Sequence, residues 1–143
     1  LTDAAKLRTP IMNVAFARQF YRRTENATAP PVENPHQIVL TTLSELETAL
    51  HSLEDAQAHG ARYPEASVSR SLTAIYILQS SLDFEQGEDI AANLFRLYEF
   101  CRQQVLRAFR GDHDAELGQA RATIGEIASA WREIGPQVRA RHE

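Results

Sequence analysis

Apolar residues recur along this chain at helical spacing, and glycine and proline divide them into five blocks without sustained strand alternation. The first block runs from Ile11 to Arg23, with Ile11, Val14 and Tyr21 on one side and Phe16 and Phe20 on the other. Pro30 and Pro31 part it from a second helix, where Asn34 and Pro35 read as an N-cap followed by proline at the first helical position. Val39, Leu43, Leu46, Leu50 and Leu53 share one face of that helix, which is expected to end near His59 and Gly60. A third helix, starting near Pro64, is expected to bury Val68, Leu72, Ile75, Leu78 and Leu82, with Ile77 pointing away from that stripe.

The fourth block is entered through Asp83 to Gly87 and is apolar around an unusual share of its circumference. With about 100° per residue, Ile90, Leu97, Cys101, Leu94 and Val105 form one stripe. Tyr98, Ala91, Phe109, Phe95 and Leu106 carry the apolar surface further round. The arc covers about 180°, against a stripe of ≳100° on an ordinary surface helix. Such a helix is either buried on two sides or keeps one side for a partner. Gly111 closes it, and Asp112 is positioned to cap the next helix. There, Leu117, Ala120, Ile124, Ile127, Trp131, Ile134 and Val138 alternate three- and four-residue steps, the pattern of a bundle seam. Gly135 and Pro136 are expected to break that helix before Val138. Beside the seam, Gly118, Ala122, Gly125 and Ser129 make a stripe of small residues. A glycine inside a helix costs about 1 kcal/mol relative to alanine. Either another backbone approaches closely there, or the glycines are simply tolerated.

The expected fold is therefore all-α: an antiparallel four-helix bundle over residues 34–138, with a short additional N-terminal helix and tether over residues 1–33. The 143 residues fit a single domain. The net charge of −4 and the lack of a basic patch disfavour nucleic acid as a partner. The single cysteine, Cys101, rules out an internal disulfide and is expected in the core. No apolar run approaches the ~18 residues of a membrane span and no signal-peptide pattern occurs, so no membrane insertion and a cytoplasmic location are expected.

Catalytic and metal chemistry find little support. His36, His51, His59, His113 and His142 are scattered. Glu33 and His36 fit a Glu-x-x-His spacing, but they straddle a helix start and no second copy exists, so no metal site is expected. His51 is placed for phosphotransfer, yet Glu54 would repel an incoming phosphoryl group. The acidic cluster Asp83, Glu85, Glu88 and Asp89 complements a helix dipole. No phosphate loop, Cys-x-x-Cys or nucleophile elbow is present, so no enzyme and no cofactor are expected. Apolar residues left over after a core is filled suggest groove binding of amphipathic helices. The competing reading is permanent cover by the N-terminal helix.

Three segments resemble the flagellar export chaperones of the FliS type. Asn34-Pro35-His36-Gln37-Ile38 is similar to the start of that family's first long helix. The run from Ser80 to Phe100, SSLDFEQGEDIAANLFRLYEF, resembles its most distinctive segment. Trp131 to Pro136 resembles the end of its last helix, and Tyr21 falls where the family carries an N-terminal tyrosine. Thr41 to Leu46 departs from the family's apolar-Leu-Tyr/Phe-Asp-Gly-Ala pattern. The resemblance implies a cytoplasmic, non-enzymatic chaperone that binds the disordered C-terminal segment of flagellin, prevents premature polymerisation and aids delivery to the cytoplasmic side of the flagellar type III export gate. The expected client surface comprises Ile77, Phe84, Ile90, Ala91, Leu94, Phe95, Tyr98, Leu106 and Phe109. Phe16, Phe20 and Tyr21 are expected to cover it in the free protein. Two other functions compete: a chaperone or adaptor for another flagellar or secreted protein, and a helical bundle that binds a small molecule or metal.

Overall fold

The computed structural model describes residues 34–142, with side chains through Gly135. The expected N-terminal helix, with Phe16, Phe20 and Tyr21, and the side chain of Val138 lie outside the described residues. Four helices follow one another: α1 (Pro35–Ala58), α2 (Glu65–Ser80), α3 (Phe84–Phe109) and α4 (Leu117–His142). They form a ring in which each packs on two neighbours; the α1–α4 interface is the most extensive and the α3–α4 seam the least. The bundle is antiparallel. At one end Gln57 reaches the carbonyl of Ala115 at 2.8 Å, and at the other His36 stacks on Trp131.

α1 forms as its sequence dictates. The Asn34 side chain accepts a hydrogen bond from the His36 N–H, satisfying one of the orphan donors of the first turn. Leu43, Leu46, Leu50 and Leu53 are wholly buried. The departing stretch Thr41 to Leu46 is absorbed on the same face, where the buried Thr42 hydroxyl donates to the Ile38 carbonyl at 2.8 Å. His59 caps the C-terminus and Gly60 takes the left-handed conformation, φ +61°, that favours glycine there.

α2 lies between α1 and α3 and so buries a broader arc than its stripe suggested. Ser71, Ala74 and Ile77 are buried along with Val68, Ile75 and Leu78, while Leu72 and Leu82 are only partly covered. Ile77, although off that stripe, is therefore not open to a partner as its place on the expected client surface requires. A helix with two packed neighbours needs more than one face.

Two expectations about α4 also change, and one open alternative is narrowed. Asp112 does not cap it; Asp112 caps the connecting turn, accepting from the Asp114 N–H and from Arg107. The buried Gln104 of α3 instead accepts from the Glu116 N–H at 2.9 Å, just ahead of the helix. The helical backbone also runs through Gly135 and Pro136 to His142 rather than breaking there. Finally, the small-residue stripe does not admit another backbone. A Cβ on Gly118 would meet Glu54 Oε2 at 2.9 Å, and one on Gly125 would meet Glu47 Oε2 at 3.0 Å. The stripe makes room for acidic side chains of α1, one of which, Glu54, pairs with Arg121.

Gly135 has a different neighbour. A Cβ there would run into the imidazole of His36. That ring stacks nearly parallel on Trp131, with centroids 5.1 Å apart and planes 7° apart. His36 Nε2 lies 2.6 Å from the Trp131 carbonyl, and the indole N–H donates to the His36 carbonyl at 3.0 Å. This clasp ties the start of α1 to the last turns of α4. Gly135→Ala should destabilise the protein by about 1–3 kcal/mol, because the His36 ring, stacked on Trp131 and hydrogen-bonded to its carbonyl, cannot move aside without losing both contacts. Gly125→Ala should be neutral or stabilising by up to about 1 kcal/mol, since only the flexible end of Glu47 must shift. Thermal unfolding of both variants checks the contrast, which reverses if the clasp is loose.

Candidate functional site

α3 carries the exposed apolar surface. Asp83 caps it, its carboxylate accepting from the backbone N–H groups of Glu85 and Gln86. Ala91, Tyr98, Cys101, Gln104, Val105 and Ala108 are its buried residues. The two flanks of that stripe can be assigned from contacts across the helix pairs. Cys101 meets the Ala120 carbonyl and Gln104 meets Glu116, which marks the α4 flank. Gln79 of α2 reaches Glu99 at 3.1 Å, which marks the other.

Ile90, 71 % exposed, and Leu97, 39 % exposed, lie on the α4 flank. Continuing the antiparallel register puts Ile90 level with Trp131 to Ile134, and Ile134 is exposed too. Phe84, Phe95 and Phe109 are 50 %, 37 % and 61 % exposed, and the latter two lie on the α2 flank. Leu94 and Leu106 are half-buried, and Leu94 packs against the core. Tyr76 of α2 adds a further exposed ring. Apolar side chains thus emerge on both sides of the buried stripe rather than in one broad arc.

Of the nine expected client-surface residues, Ile77, Ala91 and Tyr98 are buried, at 7 %, 2 % and 3 % exposure, and cannot contact a partner as they stand. Tyr98 belongs to the core cluster, and its burial drives the phenol pKa above its usual value, with the Cys101 thiol adding to the effect. Cys101 is likewise pushed up to about 12 by burial, leaving a thiol without thiolate character. Leu97, in the first stripe of α3, and Ile134, in the α4 seam, are exposed where the α3–α4 packing is least extensive. The low packing of one seam has no signature in apolar spacing.

A polar bridge interrupts the α2 flank between Phe95 and Phe109. Glu99 accepts from Arg102 Nε and Nη2, at 3.0 and 2.7 Å, and from Gln103 and Gln79. Chiefly the Arg102 hydrogen bond, opposed by partial burial and aided by Gln103 and Gln79, holds the Glu99 carboxyl at about 2, against an ordinary value of 4.5. Among the described residues no three His, Cys, Asp or Glu side chains gather as a metal site would require, and no helix is long and apolar enough to cross a membrane.

The family model of the flagellar protein FliS matches residues 14–138. The chain belongs to the FliS family. Among named relatives, the flagellar secretion chaperone FliS of Vibrio cholerae is 28% identical over 120 residues, spanning 83% of this chain and 88% of that protein. FliSB of Pseudomonas aeruginosa, another flagellar secretion chaperone, is 30% identical over 104 residues, 68% of this chain and 79% of its own. FliS of Salmonella typhimurium is 36% identical over 62 residues, 43% of this chain and 45% of its own. No solved structure matches. The match takes in α1, α2, α3 and most of α4, so both exposed flanks fall within the FliS region.

Because the folded-state carboxyl of Glu99 is depressed, its contribution to stability is complete above about 4.5 and is lost as pH falls toward about 2. Glu99→Gln should therefore flatten that part of the stability–pH profile. Denaturant titrations from pH 6 to pH 2 check this; parallel profiles for the two proteins would show that the bridge does not form.

Proposed function

We propose that this FliS-family protein is a cytoplasmic, non-enzymatic chaperone for flagellin. It holds the disordered C-terminal segment of flagellin as amphipathic helices on the two apolar flanks of α3, prevents premature polymerisation and helps deliver its client to the flagellar export gate. The single observation that supports this reading is the pair of exposed apolar flanks on α3, carried by Phe84, Phe95 and Phe109 on one side and Ile90 and Leu97 on the other. A disordered segment loses conformational entropy on ordering, and burial of roughly 1,000–3,000 Å² offsets that loss. Two flanks supply such an area without requiring the client to adopt its filament fold. Holding of this kind needs no nucleotide, so release depends on hand-off to another partner.

Calorimetry with a flagellin C-terminal peptide should give one-to-one binding with a negative heat-capacity change. Phe95→Asp should weaken binding by about tenfold or more while leaving the melting temperature nearly unchanged, since that ring is partly solvated already. Ile77→Asp should instead unfold α2 from its neighbours, as an unpaired charge in the core does. Failure to bind flagellin from the same genome sinks the proposal.

We further propose that Phe16, Phe20 and Tyr21 cover part of this surface in the free protein. Asn34, where the described chain begins, stands beside the clasp with Trp131, at the end of the bundle where Ile90 and Ile134 are exposed. Deleting residues 1–28 should tighten client binding and increase self-association. Unchanged affinity, or loss of the fold, argues against a displaceable cover.

A further inference from the structure

α3 is not one continuous helix. Glu88 has φ +45° and ψ −120°, a conformation that side-chain-bearing residues rarely adopt and that interrupts the helix after its first turn. It matches the first central position of a type II′ reverse turn, where glycine is favoured. The single turn ahead of it, Phe84 to Gly87, is closed by its own hydrogen bond, Gly87 N–H to the Asp83 carbonyl at 2.7 Å. Gly87 presses on the continuing helix, so that a Cβ added there would stand 2.8 Å from that of Ala91.

The consequence is visible in the aromatic side chains. On a straight helix Phe84 and Phe95 would be about 16 Å apart along the axis, beyond the reach of either side chain. Their ring centroids are 5.8 Å apart, with planes inclined at 59°. Only a sharp change of chain direction between Phe84 and Phe95, at the Glu88 kink, brings them together. The same reversal lays the first turn toward the α2 flank and leaves Ile90, two residues on, the most exposed large apolar side chain among the described residues.

We infer that the Gly87–Glu88 reversal is the positioning element of the client surface. Gly87 gives clearance over Ala91, and Glu88 turns the chain so that Phe84 leans on Phe95 as a two-ring wedge while Ile90 is uncovered. The inference rests on the chaperone reading above. The occupant it fits is an amphipathic helix of the flagellin C-terminal segment, whose apolar side chains seat against the ring pair. Glu88 itself is a positioning residue and makes no contact with the client in this account. Its role is conformational, so glycine should replace it and a β-branched residue should not.

Full-length wild type, Glu88→Gly and Glu88→Val chains test this against the flagellin C-terminal peptide. Valine resists positive φ most strongly and favours a straightened α3. Glu88→Val should bind about tenfold or more weakly, the scale of losing an aromatic anchor, and Glu88→Gly should bind as tightly as wild type or tighter. Equal binding by the valine variant overturns the inference. Because the valine variant could simply unfold, NMR on wild type gives an independent reading. Ring-to-ring NOEs between Phe84 and Phe95 and a non-helical Cα shift at Glu88 are expected, and a helical shift without those NOEs overturns the reversal outright. Wild type that shows the ring contact but binds no flagellin peptide removes the docking role and the chaperone reading together, with the reversal still standing.

Discussion

The closure of α1 against α4 is the constraint on which the rest of the bundle depends. Four leucines of α1 are wholly buried, and Leu117, Ala120 and Ile124 of α4 are as fully enclosed. Both ends are fastened, by Gln57 to the Ala115 carbonyl and by His36 stacked on Trp131. Between those ends the carboxylates of Glu54 and Glu47 lie over Gly118 and Gly125, where α4 lacks side chains. With the ring secured on that side, α3 need not close tightly on α4. It keeps Tyr98, Cys101, Val105 and Ala108 in the core and leaves apolar residues to either side in water.

Under the proposed function, that division separates stability from recognition. A side chain such as Phe109, 61 % exposed, contributes little to the fold and is free to serve a partner. One such as Tyr98 does the reverse, although both lie within the same apolar arc of the helix. The Glu99–Arg102 bridge, with its hydrogen bonds to Gln79 and Gln103, keeps the α2 flank from becoming one continuous apolar patch. Interrupting an apolar patch with charge limits self-association without removing the binding surface.

Much of this was legible from residue spacing. The α1 leucines, the N-cap at Asn34, the seam through Ile124 and the anomalous width of α3 are all periodic signals, and the bundle follows from them. What spacing could not convey was how many neighbours each helix has. Ile77 lies off the α2 stripe and is buried all the same, because α2 packs on two neighbours. Ile134 shares the spacing of the buried seam residues and is exposed all the same, because the seam is not packed along its whole length. The reversal at Glu88 was hidden for another reason: the residue at positive φ is not the neighbouring glycine, so the usual sequence mark of such a turn sits one position away. The family resemblance pointed at the same segment, from Ser80 to Phe100, without indicating its geometry.

Hydrogen exchange of the full chain with and without the flagellin C-terminal segment tests the central claim most directly. Amides of α3 from Phe84 to Leu97, and those of α4 around Ile134, should gain protection as the client covers both flanks. The α1–α4 interface, already closed, should exchange at an unchanged rate. Protection confined to α1, or none along α3, would contradict the assignment of the client surface to the flanks of α3.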